Sequence, residues 1–305
     1  MLRLLVGGHM EISFQIGVDG GGTKTELVLL DSAGEIVAQH LAPGCNPSVV
    51  EPEQARAVIL DALGQICREP VERTHLYMAG SPGFWRDFAA NLKDFGEVRS
   101  FPDSLPVLEL ATHGAPGLVL HGGTGSFVAA RDPDGETHYA GGLGWRFGDP
   151  GSGYDLGQRA IAQGLWELQG WTKPTRIGQL IKDHGESISI FDPAALARYF
   201  YQNPAPNKVV ASLAPGVLHL ATEGDETAYA MVRDSALPLL ELATQVATKL
   251  FPHTSLNEIL VGLTGPIMTH PIVIELLLPR TALPLRPIQE APIHGVRQLL
   301  LRRKV

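Results

Sequence analysis

The stretch IGVDGGGTKTELVLLD, Ile16 to Asp31, puts three glycines after an aspartate and then resumes an apolar run. Glycine-rich turns of this kind usually meet phosphate, but this one fails the helix-based signatures. A P-loop needs G-x-x-x-x-G-K-[ST] opening a helix, and a dinucleotide fold needs G-x-G-x-x-G opening a helix. Here the glycines lead into TELVLLD, which reads as a strand. The spacing predicts a β-hairpin that grips an anion with backbone N–H groups, a nest rather than a helix terminus. Glycine permits close approach and positive φ in such a turn. Thr23 adds a hydroxyl, Lys24 a charge, and Asp19 a carboxylate able to hold Mg2+ directly or through water. A tight hairpin that needs glycine for steric reasons alone has the same sequence.

A second segment has the same layout. LVLHGGTGSFVAARDPDGETHYA, Leu118 to Ala140, repeats the order of IGVDGGGTKTELVLLDSAGEIVA, Ile16 to Ala38: strand, Gly/Thr turn, strand, Asp/Gly turn, strand. Two copies point to a duplicated α/β unit and to two Gly/Thr jaws for one polyphosphate. Between them, Pro52 to Arg68 has helical spacing, THLYMAGSPG reads as a buried strand running into a loop, and DSLPVLELATHG as a helix with Asp103 at its N-cap. Beyond the second copy, SGYDLGQRAIAQGLWELQG and ETAYAMVRDSALPLLELATQVATKLF read as helices, with Pro238 expected to interrupt or kink the latter. LNEILVGLTGPI reads as a strand into a Gly/Pro turn, and PIHGVRQLLLRR as a terminal helix. The expected organisation is an N-terminal lobe over 11–112, with the helix at 292–305 packing back on it, and a C-terminal lobe over 113–291.

With 305 residues, 44% apolar and 18% charged, the chain is long enough for one large or two moderate domains. A net charge of −8 argues against a nucleic-acid partner. No apolar run approaches the roughly 20 residues that cross a bilayer, so no membrane partner is expected. Cys45 and Cys67 are not in a metal or scaffold spacing, which fits a reducing, cytoplasmic setting. The eleven histidines are scattered and read as surface or core residues. GGHM before Glu11 reads as a vector remnant or a mis-assigned start, so Met1–Met10 are set aside from the fold. A homodimer is compatible with the sequence, which does not fix the oligomeric state.

The motifs IGVDGGGTKT, PGCNPS, AGSPG, PDS, GGTGS and GGLGWRFGDPGSGYDLGQRA, in this order over Ile16 to Ala160, resemble the N-acetylglucosamine kinase and BadF/BadG-type ATPase family of the actin-like superfamily. The resemblance implies two actin-like (ribonuclease H-like) α/β lobes with a nucleotide cleft between them. It implies ATP and Mg2+ as cofactors and a small sugar as substrate, with an amino sugar such as N-acetylglucosamine or glucosamine phosphorylated on its 6-hydroxyl. Asp103 then matches the catalytic base. Gly20, Gly21, Gly22, Thr23, Lys24, Thr25, Gly123, Thr124, Gly125 and Ser126 match the phosphate loops, Asp19 the metal position and Gly265 the adenosine side. Asn46, Ser81, Thr124, Gly141, Gly142 and Asp149 match the sugar pocket. From local chemistry alone Asp103 is equally a helix cap, and Asn46, Ser81 and Asp149 are equally turn residues.

Three positions depart from the family pattern. Leu143 replaces a tryptophan, Pro150 a glutamate, and Pro266 the second glycine of the adenosine loop. The first two touch the sugar pocket, so which hexose is used stays open. Two other tasks suit the same fold: an ATPase activator of the BadF/BadG type, which would share an Fe–S cluster through cysteines, and a non-catalytic sugar or nucleotide sensor.

Overall fold

The computed structural model of the protein describes residues 13–302. The N-terminal residues set aside above, and the last three of the expected terminal helix, lie outside the described residues. Two compact units emerge: one runs to Pro106 and resumes at Ala291, the other spans Val107–Glu290.

In the first unit the chain forms β1 (Phe14–Gly20), β2 (Lys24–Leu30), β3 (Ile36–Pro43), α1 (Pro52–Ile66), β4 (Val71–Met78), α2 (Pro82–Asn91) and β5 (Glu97–Pro102). Helix α3 (Ser104–Thr112) opens at its end and carries the chain into the second unit. There follow β6 (Gly117–Gly122), β7 (Ser126–Arg131), β8 (Thr137–Gly141) and α4 (Gly153–Leu168). Four helices come next: α5 (Arg176–Ser187), α6 (Pro193–Gln202), α7 (Pro206–Ala211) and α8 (Ala214–Thr222). Helix α9 (Glu226–Leu250) leads to β9 (Leu260–Thr264), α10 (Gly265–Met268), α11 (Pro271–Leu277) and β10 (Leu285–Pro287). Helix α12 (Pro292–Leu301) returns to the first unit.

The two sheets have one topology. The first is ordered β3-β2-β1-β4-β5 and the second β8-β7-β6-β9-β10, each with an antiparallel three-strand meander followed by two parallel strands. The likeness reaches single hydrogen bonds. In DSAG the Asp31 carboxylate accepts from the N–H groups of Ala33 and Glu35, and in DPDG the Asp132 carboxylate accepts from those of Asp134 and Glu136. Both turns close through a left-handed glycine, Gly34 at φ +82° and Gly135 at +88°. This is the Asx-turn chemistry that aspartate and glycine favour.

Each sheet is covered by apolar helix faces at helical spacing. On α1, Ala55, Ile59, Ala62, Leu63 and Ile66 are buried, and Pro52 sits in the first turn, where its missing N–H costs nothing. On the other face of the first sheet, Val296 and Leu300 of α12 join Val28 and Leu30 in one cluster. Gly17 makes this possible: a Cβ there would overlap Val296 and lie 2.8 Å from Leu300.

Interruption, one of the two outcomes expected at Pro238, does not occur: helix α9 runs unbroken from Glu226 to Leu250. The proline has no N–H for the carbonyl of Asp234, one turn back. Arg159 of α4 supplies the replacement, its Nη2 donating to that oxygen at 3.3 Å, while its Nε holds Asp155 at 3.1 Å.

Candidate active site

The register of the first sheet brings its chemically able residues to one edge. β1, β3, β4 and β5 point the same way, so their carboxyl ends line up; in open α/β sheets ligands bind along this edge. Asp19 and Gly20 end β1, Gly44–Asn46 follow β3, Gly80 and Ser81 follow β4, and Asp103 follows β5. The loops are bonded to one another: Ala79 donates its N–H to Gly20 O at 2.8 Å, and Cys45 donates to Gly21 O at 3.0 Å.

Gly20 is needed for room and Gly21 is tightly placed, whereas a Cβ on Gly22 would make only ordinary contacts at 3.9 Å. None of Gly20, Gly21 and Gly22 has a positive φ, contrary to the expectation above. A Cβ on Gly20 would meet Met78 Sδ at 2.7 Å, and one on Gly44 would meet the Thr23 nitrogen at 2.8 Å. The turn is closed by Gly21 N–H to Lys24 O at 3.0 Å, and Thr23 and Lys24 stand exposed on it. Lys24 pairs with Glu26 at 2.9 Å. Thr25 is placed differently from the sequence expectation. It is fully buried, and its hydroxyl donates to Pro43 O at 2.8 Å and lies 3.2 Å from Cys45 Sγ, so it braces the hairpin from behind.

Two carboxylates face each other's field at this edge. Burial pushes Asp19 up to about 7, helped by the negative charges of Asp103 and Glu26 and opposed by Lys24. Burial pushes Asp103 up to about 6, against the pull of its own N–H and that of Ser104. A hard cation beside Asp19 would relieve this repulsion, and one carboxylate with phosphate and water oxygens is the usual Mg2+ set. Among the described residues no cluster of three or more His, Cys, Asp or Glu could form an all-protein metal cage.

Asn46 bends its own loop, its Oδ1 accepting from Ser48 N–H at 2.9 Å, which leaves the amide NH2 for a ligand. That side chain occupies the space over Gly80, whose φ of +95° only glycine adopts without strain. Ser81 caps α2, its Oγ accepting from Phe84 N–H at 3.4 Å. Its hydroxyl is thus engaged in local structure.

In the second unit β6, β8 and β9 end at one edge in the same way. There the Gly123–Gly125 turn follows β6, Gly141 and Gly142 close β8, and Gly265 follows β9. Gly123 and Thr124 are held from below by α4, whose first N–H groups donate to their carbonyls at 2.8 and 3.2 Å. Ser126, like Thr25, is buried, and its hydroxyl donates to Pro150 O at 2.6 Å. Asp149 is buried too, and its Oδ1 accepts from Gly144 N–H at 3.1 Å. Burial raises its pKa, the Gly144 bond lowers it, and Asp155 raises it. Its Oδ2 would lie 2.8 Å from a Cβ on Gly125, which explains a glycine there.

Gly141, Gly142 and Gly265 are left-handed, at φ +73°, +59° and +80°. Gly265 packs on the Gly122 peptide, so the turn after β9 touches the turn after β6. Pro266 sits in the first turn of α10, where an N–H is not required, so the departure from the family glycine is accommodated locally. Beside these turns opens a cleft of about 520 Å³, lined by Gly123, Thr124 and Gly153 on one side and by Ala214, Leu218 and Pro266 among the rest. Its apolar walls and glycine floor suit a nucleoside.

One residue passed over in the sequence stands out. His121, directly before the second glycine turn, has Nδ1 3.1 Å from the Thr264 hydroxyl, and burial lowers its pKa to about 4. It lies under both Gly123 and Gly265. Its position in HGGTGS was the available signal.

Residues 16–277 match the BadF/BadG/BcrA/BcrD ATPase family. The chain belongs to that family. Among curated relatives it is 25% identical over 240 residues to an N-acetylmuramic acid/N-acetylglucosamine kinase of Clostridium acetobutylicum, covering 75% of this chain and 77% of that one. It is 27% identical over 256 residues to the N-acetyl-D-glucosamine kinase of Dictyostelium discoideum, covering 77% and 79%. Among solved structures, a candidate N-acetylglucosamine kinase of Chromobacterium violaceum superposes with a TM-score of 0.78 at 27% identity, over 95% of this chain and 99% of that one. The α/β actin-like fold and ATP as the nucleotide of this family member agree with the resemblance read from the motifs.

Proposed function

We propose that this family member transfers the γ-phosphoryl group of Mg·ATP to the 6-hydroxyl of an amino sugar, N-acetylglucosamine or glucosamine. The observation that carries the reading is the pair Asp19 and Asp103, two partly buried carboxylates at one sheet edge, beside glycine turns. Phosphoryl transfer asks for positioning and charge neutralisation, with a base to take the proton of the attacking hydroxyl. Asp103 is that base: with a pKa near 6 it is ionised at neutral pH yet basic enough to accept the proton.

Asp19 would hold Mg2+ directly or through water, and the ion would supply charge neutralisation at the phosphates. In the first unit the exposed Thr23 and the N–H groups of the glycine turn suit phosphate oxygens, and Asn46 suits a sugar hydroxyl or carbonyl. In the second unit Gly123 to Gly125 suit phosphate oxygens, the cleft beside Gly265 and Pro266 suits the adenosine, and Asp149 suits sugar hydroxyls. Thr25 and Ser126 support these turns from inside the protein. The kinase relatives named above support this reading over an activator role, and Cys45 is packed in the core with its thiol pushed up to about 11.

A coupled assay with Mg·ATP against N-acetylglucosamine, glucosamine, N-acetylmuramate and glucose tests the proposal. The expected result is the highest kcat/KM on an amino sugar. A preference for glucose, or no phosphorylated product from any of the four, rejects it.

A further inference from the structure

Three rings cross the second sheet beneath the ligand edge. His121 of β6 is paired directly opposite Phe127 of β7, and their rings stack at 4.8 Å and 20°. Phe127 is in turn paired with Gly141 of β8, and the ring of Tyr139, two residues back on the same face, stacks on it at 5.1 Å and 28°. Gly141, directly opposite Phe127, leaves the face of that ring to Tyr139.

Both ends of the ladder bear on backbone of the candidate site. The Tyr139 hydroxyl occupies the space a Cβ on Gly142 would need, with Cε1 and Cζ at 2.6 and 2.7 Å. The His121 ring stands 3.1 Å from a Cβ on Gly123 and 3.0 Å from one on Gly265. One end therefore touches the turn assigned to the sugar, and the other touches both turns assigned to the nucleotide. Phe127 is buried between the other two rings, while Tyr139 keeps 51% of its surface exposed, so it is held to the ladder by the stack itself. A buried ring in contact on both faces passes displacement on because packed side chains do not deform continuously.

We infer that Tyr139 is a positioning residue: through the Phe127–His121 stack it ties the order of the Gly141–Gly144 turn to occupancy of the nucleotide turns. The assignment of those turns to sugar and nucleotide rests on the function proposed above. The coupling itself does not require that any particular sugar be phosphorylated. It predicts that each ligand tightens the binding of the other, by a factor within the several-fold to hundred-fold range usual for linked sites.

Amide hydrogen exchange at Gly141–Gly144, with and without a non-hydrolysable ATP analogue, gives the primary test. The wild-type chain should show slower exchange there when the analogue is bound. Tyr139→Phe keeps the stack and should keep that response. Tyr139→Leu removes the stack and should abolish the response while the analogue's own Kd stays unchanged.

A purely structural role would instead lower Tm and weaken both ligands together. Wild-type exchange that ignores the analogue, or a response that survives in Tyr139→Leu, overturns the inference. Failure of the sugar panel alone would reject the proposed substrate and leave the exchange result to decide this point.

Discussion

Ser126 gives its hydroxyl hydrogen to the carbonyl oxygen of Pro150, at 2.6 Å, and so pins the loop that presents Asp149 to the strand that follows the second glycine turn. Removing a buried partner leaves that carbonyl unpaired, at a cost of about 1–3 kcal/mol. Ser126→Ala is therefore expected to lower stability by that amount and to raise the sugar KM more than the ATP KM. Equal changes in both constants would mean that the bond holds the nucleotide turn and not Asp149. Steady-state kinetics with each substrate varied in turn distinguish the two.

Asp103→Asn keeps the shape of the site and removes the base. We expect kcat to fall by two to four orders of magnitude, roughly the span general-base catalysis contributes, while ATP binding measured by titration persists. Retained turnover in this variant would remove Asp103 from the mechanism.

The pH dependence has a defined sign. Asp19 and Asp103 titrate near 7 and 6 in the folded chain, above the usual 3.8. Between about pH 4 and 7 the folded, ligand-free protein holds more protons than the unfolded chain, so its stability falls as pH rises through that window. Thermal unfolding without Mg2+ should show Tm decreasing from pH 5 to pH 8, and Asp19→Asn should flatten the curve and raise Tm at pH 8. Activity runs the opposite way, rising with pH through about 6 as Asp103 ionises.

Helix α9 offers a test by double-mutant cycle. Arg159→Met keeps the aliphatic stem but removes the donor to the exposed Asp234 carbonyl, which should cost about 0.5–1.5 kcal/mol. In a Pro238→Ala background the new N–H takes that carbonyl, so the same change should cost much less. A coupling energy near zero between the two sites would mean that water already satisfies the oxygen.

Much of the fold could be read because its signals are local. The Asp/Gly turns, the glycine hairpins and the periodicity of α1 depend on residues a few positions apart. The roles of Thr25 and Ser126 could not be read that way. A hydroxyl beside a glycine turn looks the same whether it faces a phosphate or a neighbouring carbonyl, and only the register of β2 and β7 turned Thr25 and Ser126 inward. The continuity of α9 through Pro238 was hidden for a similar reason, since the missing N–H is replaced by Arg159, seventy-nine positions away in the chain. The value of His121 was hidden because its partners, Thr264 and Gly265, come from a distant strand.

The placement of α12 sets an order on biosynthesis. The helix that covers the face bearing Val28 and Leu30 is made only after the whole second unit. The second unit, continuous from Val107 to Glu290, has all its strands and helices available before α12 emerges. Domains fold as their chain becomes available, so the first sheet, made before the second unit, is covered only after it. Until then its apolar face is uncovered, and a nascent chain stalled before Pro292 would be a substrate for chaperones.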